Sequence, residues 1–220
     1  GAPALGLVGR PQRPPPPQRL IPGPPVPQQF SDEERAKVLR AFTSAYPAVQ
    51  LDMKFIDSEE AFGGVAQGEL EIGIITLPPE PPERFELIPI WRDPLCVVAG
   101  KQHPLAEKSK VTLKQLSQHL AVLPSESTFT RRIVESTFQT AGLGINVAIS
   151  TNYLETIRMM VGIGLGWSVL PATMVNDDVE VLTVPQLQLE RQLGVVCHPD
   201  HSLSNAAQAM IKVLLSNRTL

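Results

Sequence analysis

The stretch "MMVGIGLGWSVLP", Met159 to Pro171, places Gly162, Gly164 and Gly166 between an apolar run of helical spacing and an apolar run with the character of a strand. The order of these parts decides the reading. A dinucleotide loop needs G-x-G-x-x-G after a strand and before a helix, whereas this G-x-G-x-G follows a helix and precedes a strand. Glycine just past a helix accepts the left-handed conformation, and the absence of a side chain at Gly166 lets the next strand approach its neighbours closely. The stretch therefore reads as a helix stop and a tight entry into "WSVLP".

Working outward, helices alternate with short apolar strands. "SDEERAKVLRAFTSAYP" offers Ser31 as an N-cap, acids in the first turn and Val38, Leu39 and Phe42 at helical spacing. "VQLDMKFI" alternates as a strand, Ser58 opens a helix that closes near Gly68, and "LEIGIIT" is a buried strand. "FELIPIWRDPLCVVAG" reads as a strand pair or bend. It is followed by a Thr112-capped helix, a strand Leu120–Leu123 and a helix from about Ser127. Strand "INVAIS", helix Asn152–Ile163, strands "GWSVLP" and "RQLGVVC", and a last helix "SLSNAAQAMIKVLLSN" complete the order. Such alternation predicts α/β layers with largely parallel sheets.

The amino end differs in kind. Its first thirty residues hold ten of the 22 prolines, and proline removes backbone donors, so residues 1–31 are expected to form a disordered arm, with no regular structure over 10–30. The same thirty residues carry Arg10, Arg13 and Arg19 and no acid, which leaves −6 on the remainder from the overall −3, a poor match for a phosphate backbone. At 43% hydrophobic the chain can bury real cores. It has no run near the roughly 18 apolar residues of a membrane span. A cytoplasmic protein is expected, with Cys96 and Cys197 as two buried reduced thiols.

Chemistry is read from the corners. "PSESTFTRR" sets Ser125, Ser127 and Thr128 beside free backbone amides at a helix N-terminus, where the dipole and unpaired donors favour a carboxylate, sulfate or phosphate. By its position alone Ser127 reads first as a plain N-cap. Asn152 with Glu155 forms a capping box or contacts ligand. Arg131 and Arg132 are available to neutralise an anion, although one at least should face solvent. His198 and His201 in "HPDH" read as a solvated loop rather than a metal pair, and Trp91 and Trp167 as packing residues. No nucleophile elbow, phosphate loop, zinc motif or poised acid pair appears, so neither catalysis nor a cofactor is expected.

"TIRMMVGIGLGWSVLP" closely resembles the helix, glycine corner and strand of the effector-binding domain of LysR-type transcriptional regulators. "LRAFTSAYPAVQLDM", "VAQGELEIGIIT", "PLCVVAGKQHPLA", "VTLKQLSQHLAVLP", "STFTRRIVESTFQTAG" and "RQLGVVCHPDHSLSNAAQAMIKVL" follow the family's order and spacing, over roughly residues 38–215. The resemblance implies a Type 2 periplasmic-binding-protein topology of two α/β subdomains, residues 32–95 plus 198–220 and residues 96–197. Crossover strands at Pro94–Ala99 and Gln192–Cys197 would join them, with a small-molecule cleft between. It adds Thr76 and the Asp57–Ser58 turn to the corner at Ser125–Thr128 as cleft-facing effector contacts, with Thr128 donating a bond worth about 1–3 kcal/mol.

Two departures stand out. No winged helix-turn-helix precedes the domain, so DNA binding is expected only through a part absent here. The family's first central strand is replaced by the proline-rich arm, where only "ALGLVG", Ala4 to Gly9, is apolar enough to fill the slot. The leading function is the effector-sensing and oligomerisation domain of a regulator, a homodimer or homotetramer without membrane contact. The resemblance pairs the Val38–Ala45 helix of one subunit with the helix near Ser127 of the other, using Ile133, Val134 and Phe138. A transporter's solute-binding protein is the alternative, and an enzyme on the same fold is the remote third class.

Overall fold

In the computed structural model, the described residues are 3–6, 20–23, 32–53, 56–80 and 82–218. The elements are, in order, β1 (Pro3–Gly6), β2 (Leu20–Gly23), α1 (Asp32–Ala45), β3 (Gln50–Met53), β4 (Ile56–Asp57), α2 (Ser58–Ala66), β5 (Ile72–Thr76) and β6 (Glu86–Gly100). There follow α3 (Leu113–Ser117), β7 (Leu120–Leu123), α4 (Phe129–Thr140), β8 (Asn146–Ser150), α5 (Leu154–Gly162), β9 (Ser168–Pro171), a 3₁₀ turn, β10 (Val179–Val181), β11 (Leu189–Cys197) and α6 (Asn205–Ser216). The chain divides into two compact units, residues 93–191 and residues 2–92 with 192–220. The divisions fall between Arg92 and Asp93 and between Arg191 and Gln192, a few residues before the expected crossings at 95/96 and 197/198.

In the unit of residues 2–92 and 192–220, β5 is buried along its whole length and pairs antiparallel with the end of β11, Leu193 opposite Thr76. Its other edge pairs antiparallel with β1, which in turn pairs with β4. The apolar amino-terminal stretch thus supplies the strand beside β5, through Pro3–Gly6. Leu20–Gly23 is also a strand, parallel to β3, so at 3–6 and 20–23 the expected disordered arm is instead regular strand; the rest of residues 1–31, like the Ser31 cap, lies outside the described residues. Prolines there do not prevent a four-residue edge strand, which needs ladder bonds on one side only. Val38 and Phe42 from α1, Met210 and Leu214 from α6, and Ile72, Trp91 and Val195 from the sheet make the core.

In the unit of residues 93–191, the second half of β6 pairs antiparallel with β9 and β10, and β7 pairs parallel with β8. Trp167 is fully buried and its indole N–H donates to Leu116 O at 2.9 Å, as a packing tryptophan must when dry. The glycine corner behaves as its sequence dictates. Gly164 has φ +88°, and a Cβ on Gly166 would lie 2.3 Å from Leu120 O. Both the left-handed turn and the close strand entry therefore need glycine.

Two further expectations fail. Most pairings described are antiparallel, because β6 and β11 serve both units and their neighbours run against them; helix–strand alternation does not fix direction once strands leave their own βαβ unit. Val134 and Phe138, offered above as interface material, are 0% and 1% exposed inside their own unit's core, since one apolar stripe cannot face two ways. Cys96 is only half-buried. Cys197 is buried, and burial, then the Glu86 carboxylate, pushes its thiol up to about 12, which keeps it inert.

Candidate functional site

The turn between β7 and α4 is built from its capping residues upward. Thr128 is the N-cap of α4, and its hydroxyl accepts from the Arg131 amide at 3.2 Å and donates to Ser125 O at 2.8 Å. Ser127 is therefore not the cap. Thr128 is 1% exposed with its hydroxyl engaged both ways, so it shapes the turn. Asn152 closes the turn from the β8–α5 side, its Oδ1 accepting from the Ser125 amide at 3.1 Å. The capping box read for Asn152 and Glu155 does not form, because α5 begins one residue later with Tyr153 as N-cap and Glu155 takes the Arg158 guanidinium instead. Ser125, Thr128 and Asn152 thus come together.

What the turn leaves open is chemically specific. Among the described residues, the hydroxyls of Ser125 and Ser127 and the amides of Ser127 and Thr130 have no partner within the chain. Ser125 is half-buried and Ser127 exposed. These are donors at the positive end of a twelve-residue helix, an arrangement suited to an anionic oxygen. Arg131 is buried and committed to Glu135 at 2.6 Å and to Pro124 O at 3.0 Å, so it braces the loop. Arg132 is exposed, with its guanidinium 5.6 Å from the centre of the Phe129 ring.

The other sequence-predicted corner lies in the other unit and is used differently. Asp57 is the half-buried N-cap of α2 without a side-chain cap bond, and Ser58 is the first helical residue. Ser58 Oγ accepts from the Thr76 amide at 3.0 Å, with both residues 2% exposed. This bond fixes the helix start to the end of β5.

Sequence reasoning missed a buried polar cluster. Arg191 of β11 is 0% exposed; its Nε donates to Asp93 Oδ2 at 3.0 Å, its Nη2 is paired with the same carboxylate, and its Nη1 donates to Thr130 Oγ1 at 3.0 Å. Strand parity carries the signal that could have found it. Leu189, Arg191 and Leu193 alternate inward on β11, as Asp93, Leu95 and Val97 do on β6, so opposite charges occupy buried positions. His198 and His201 stack at 4.5 Å, with His198 edge-on to Phe85; among the described residues no group of three or more His, Cys, Asp or Glu could hold a metal. No described helix is long and apolar enough to cross a membrane.

Comparison with known proteins bears on this geometry. The family model described as "LysR substrate binding domain" matches residues 26–218. Among curated relatives, the HTH-type transcriptional regulator CbbR of Rhodospirillum rubrum is 28% identical over 81% of this chain and 60% of its own length. The HTH-type transcriptional activator CmpR of a Synechocystis strain is 24% identical over 82% of this chain and 61% of its own length. The chain spans about three fifths of the length of these relatives. Among solved structures, the Synechocystis CcmR regulatory domain in complex with 2-PG has a TM-score of 0.74 at 22% identity, over 86% of this chain and 92% of that one. The effector-binding domain of QuiR in complex with shikimate has a TM-score of 0.75 at 16% identity, with the same coverage. These likenesses establish the fold.

Proposed function

Because the chain belongs to the LysR substrate binding domain family, we propose that it is the part of a transcriptional regulator that senses a small anion, and that the anion is held at the turn before α4. The observation that carries this is the set of unpartnered donors at Ser125, Ser127 and Thr130 on a turn already made rigid by Thr128 and Asn152. Preorganised donors bind without the ordering cost that a loose loop incurs. Two neighbours of the same fold carry 2-PG and shikimate, which supports a small polar effector. Asp57, Ser58 and Thr76 form a structural corner of their own unit, in which Ser58 holds Thr76 in place.

The effector would act by binding one conformation of the longer regulator better than another, which is the only way a ligand shifts an equilibrium. Control would fall on a helix-turn-helix region of the kind named in the relatives. Pairing of subunits through α1 and α4 would be modest, because Val38, Phe42, Val134 and Phe138 serve their own cores and leave mainly Leu39, Ala41 and Ile133 partly exposed. Light scattering at high concentration should show a dimer; a 24.0 kDa monomer throughout would remove that part of the reading. Calorimetric titration with 2-PG, shikimate and sulfate tests the sensing role. Saturable binding of at least one is expected, and binding of none would defeat it.

A further inference from the structure

The chain enters the unit of residues 93–191 at Asp93 and leaves it at Arg191, and these two residues are the buried ion pair. Strands β6 and β11, which carry them, are neighbours in the sheet. A buried ion pair recovers little more than its own desolvation cost, so its retention points to a geometric role rather than to stability. The geometry here is a three-way junction. Arg191 uses one side of its guanidinium on Asp93 and the remaining nitrogen on Thr130, and a planar fork fixes those two partners relative to each other in a way a lysine does not. Thr130 is the second residue of α4, two positions past the Thr128 cap, and its backbone amide is one of the open donors of the turn.

We propose that Arg191 is a positioning residue that latches the first turn of α4 to both connecting strands, so that occupancy of the turn by an anion is transmitted to β6 and β11 through Thr130. The transmission rests on the reading of the turn as the anion contact; the latch itself does not. A bound oxygen that draws in the Thr130 amide moves the Thr130 hydroxyl, and the hydroxyl holds Nη1 of Arg191. Asp93 and Arg191 then shift as one body, because two nitrogens share one carboxylate oxygen. Both points at which the chain passes out of this unit feel the same displacement.

Hydrogen exchange on the full chain, read by mass spectrometry over residues 93–97 and 189–193, tests this. Thr130→Val removes the hydroxyl that accepts from Nη1, and without ligand it should speed exchange in both segments about tenfold while leaving β5 unchanged. Thr130→Ser should restore the slow rate. Val134→Ala, a core truncation in the same helix, should not reproduce the pattern. In the wild-type chain, whichever of 2-PG, shikimate or sulfate binds should slow exchange in both segments, and Thr130→Val should abolish that slowing. Unchanged exchange in Thr130→Val, or equal acceleration by Val134→Ala, would overturn the latch. If no anion binds the wild-type chain, the sensing role fails while the ligand-free comparison still decides the latch. Should Thr130→Val fail to fold, Arg191→Lys, which keeps the charge opposite Asp93 without the fork, is read on the same segments with the same expectations.

Discussion

The two strand-to-helix corners, Ser58–Thr76 in one unit and Ser125–Thr128 in the other, use the same residue types for different ends. At the first, the serine hydroxyl is consumed by a neighbouring strand's amide and both residues are dry. At the second, a threonine and an asparagine absorb the structural bonds, and two serines and two amides are left without partners. A hydroxyl at a helix start is therefore consumed by the scaffold or left open according to whether the chain already supplies its partner. Sequence cannot show that, because the amide that bonds the Ser58 hydroxyl is 18 residues away and the asparagine that takes the Ser125 amide is 27.

The largest expected effect bears on neither corner directly but on what holds the second in place. Arg191→Met strands Asp93 as an unpaired buried charge and should cost about 3–5 kcal/mol in urea unfolding. Adding Asp93→Leu should recover most of that loss. If the double variant is as unstable as the single, the pair contributes more than mutual neutralisation.

Ser58→Ala leaves the Thr76 amide buried without an acceptor and should cost about 1–3 kcal/mol of stability with little change in anion affinity. Ser127→Ala should do the reverse. An exposed serine is worth less than about 0.5 kcal/mol to the fold, yet its loss from a charge-assisted bond should weaken anion binding about tenfold. Equal stability losses at the two serines, measured by thermal unfolding, would erase the distinction.

The smallest effect is a pH dependence of the second unit. His103 is buried, its Nδ1 accepts from the Leu105 amide at 3.1 Å, and burial first, then the nearby His119, lower its pKa from the ordinary 6.5. The folded state thus binds the proton less readily than the unfolded chain. Stability from this group is complete above about pH 6.5 and falls as pH drops through that value toward the lowered folded pKa. His103→Asn, which keeps an acceptor, should flatten the thermal midpoint between pH 7 and 5; an unchanged slope would assign the dependence elsewhere.

Most of the elements were legible because their signals are local. The Thr112 cap and its Gln115 partner form the reciprocal box, β7 spans Leu120–Leu123 as read, and the glycine corner sits where its order required. Strand direction was not legible, since antiparallel pairing of β5 with β11 joins residues more than a hundred positions apart. The candidate site was half legible. Its corner was visible as a run of hydroxyls before a helix, but the division of labour within it, and the Asp93–Arg191–Thr130 junction beside it, depend on contacts that no spacing encodes.

The most direct test of the sensing account is the dissociation constant of the tightest-binding anion among 2-PG, shikimate and sulfate, measured by calorimetry for Ser127→Ala against Ser58→Ala. The account predicts about a tenfold weakening for Ser127→Ala and a constant within about twofold of the unaltered chain for Ser58→Ala. Equal affinities in the two variants, or a loss confined to Ser58→Ala, would contradict it.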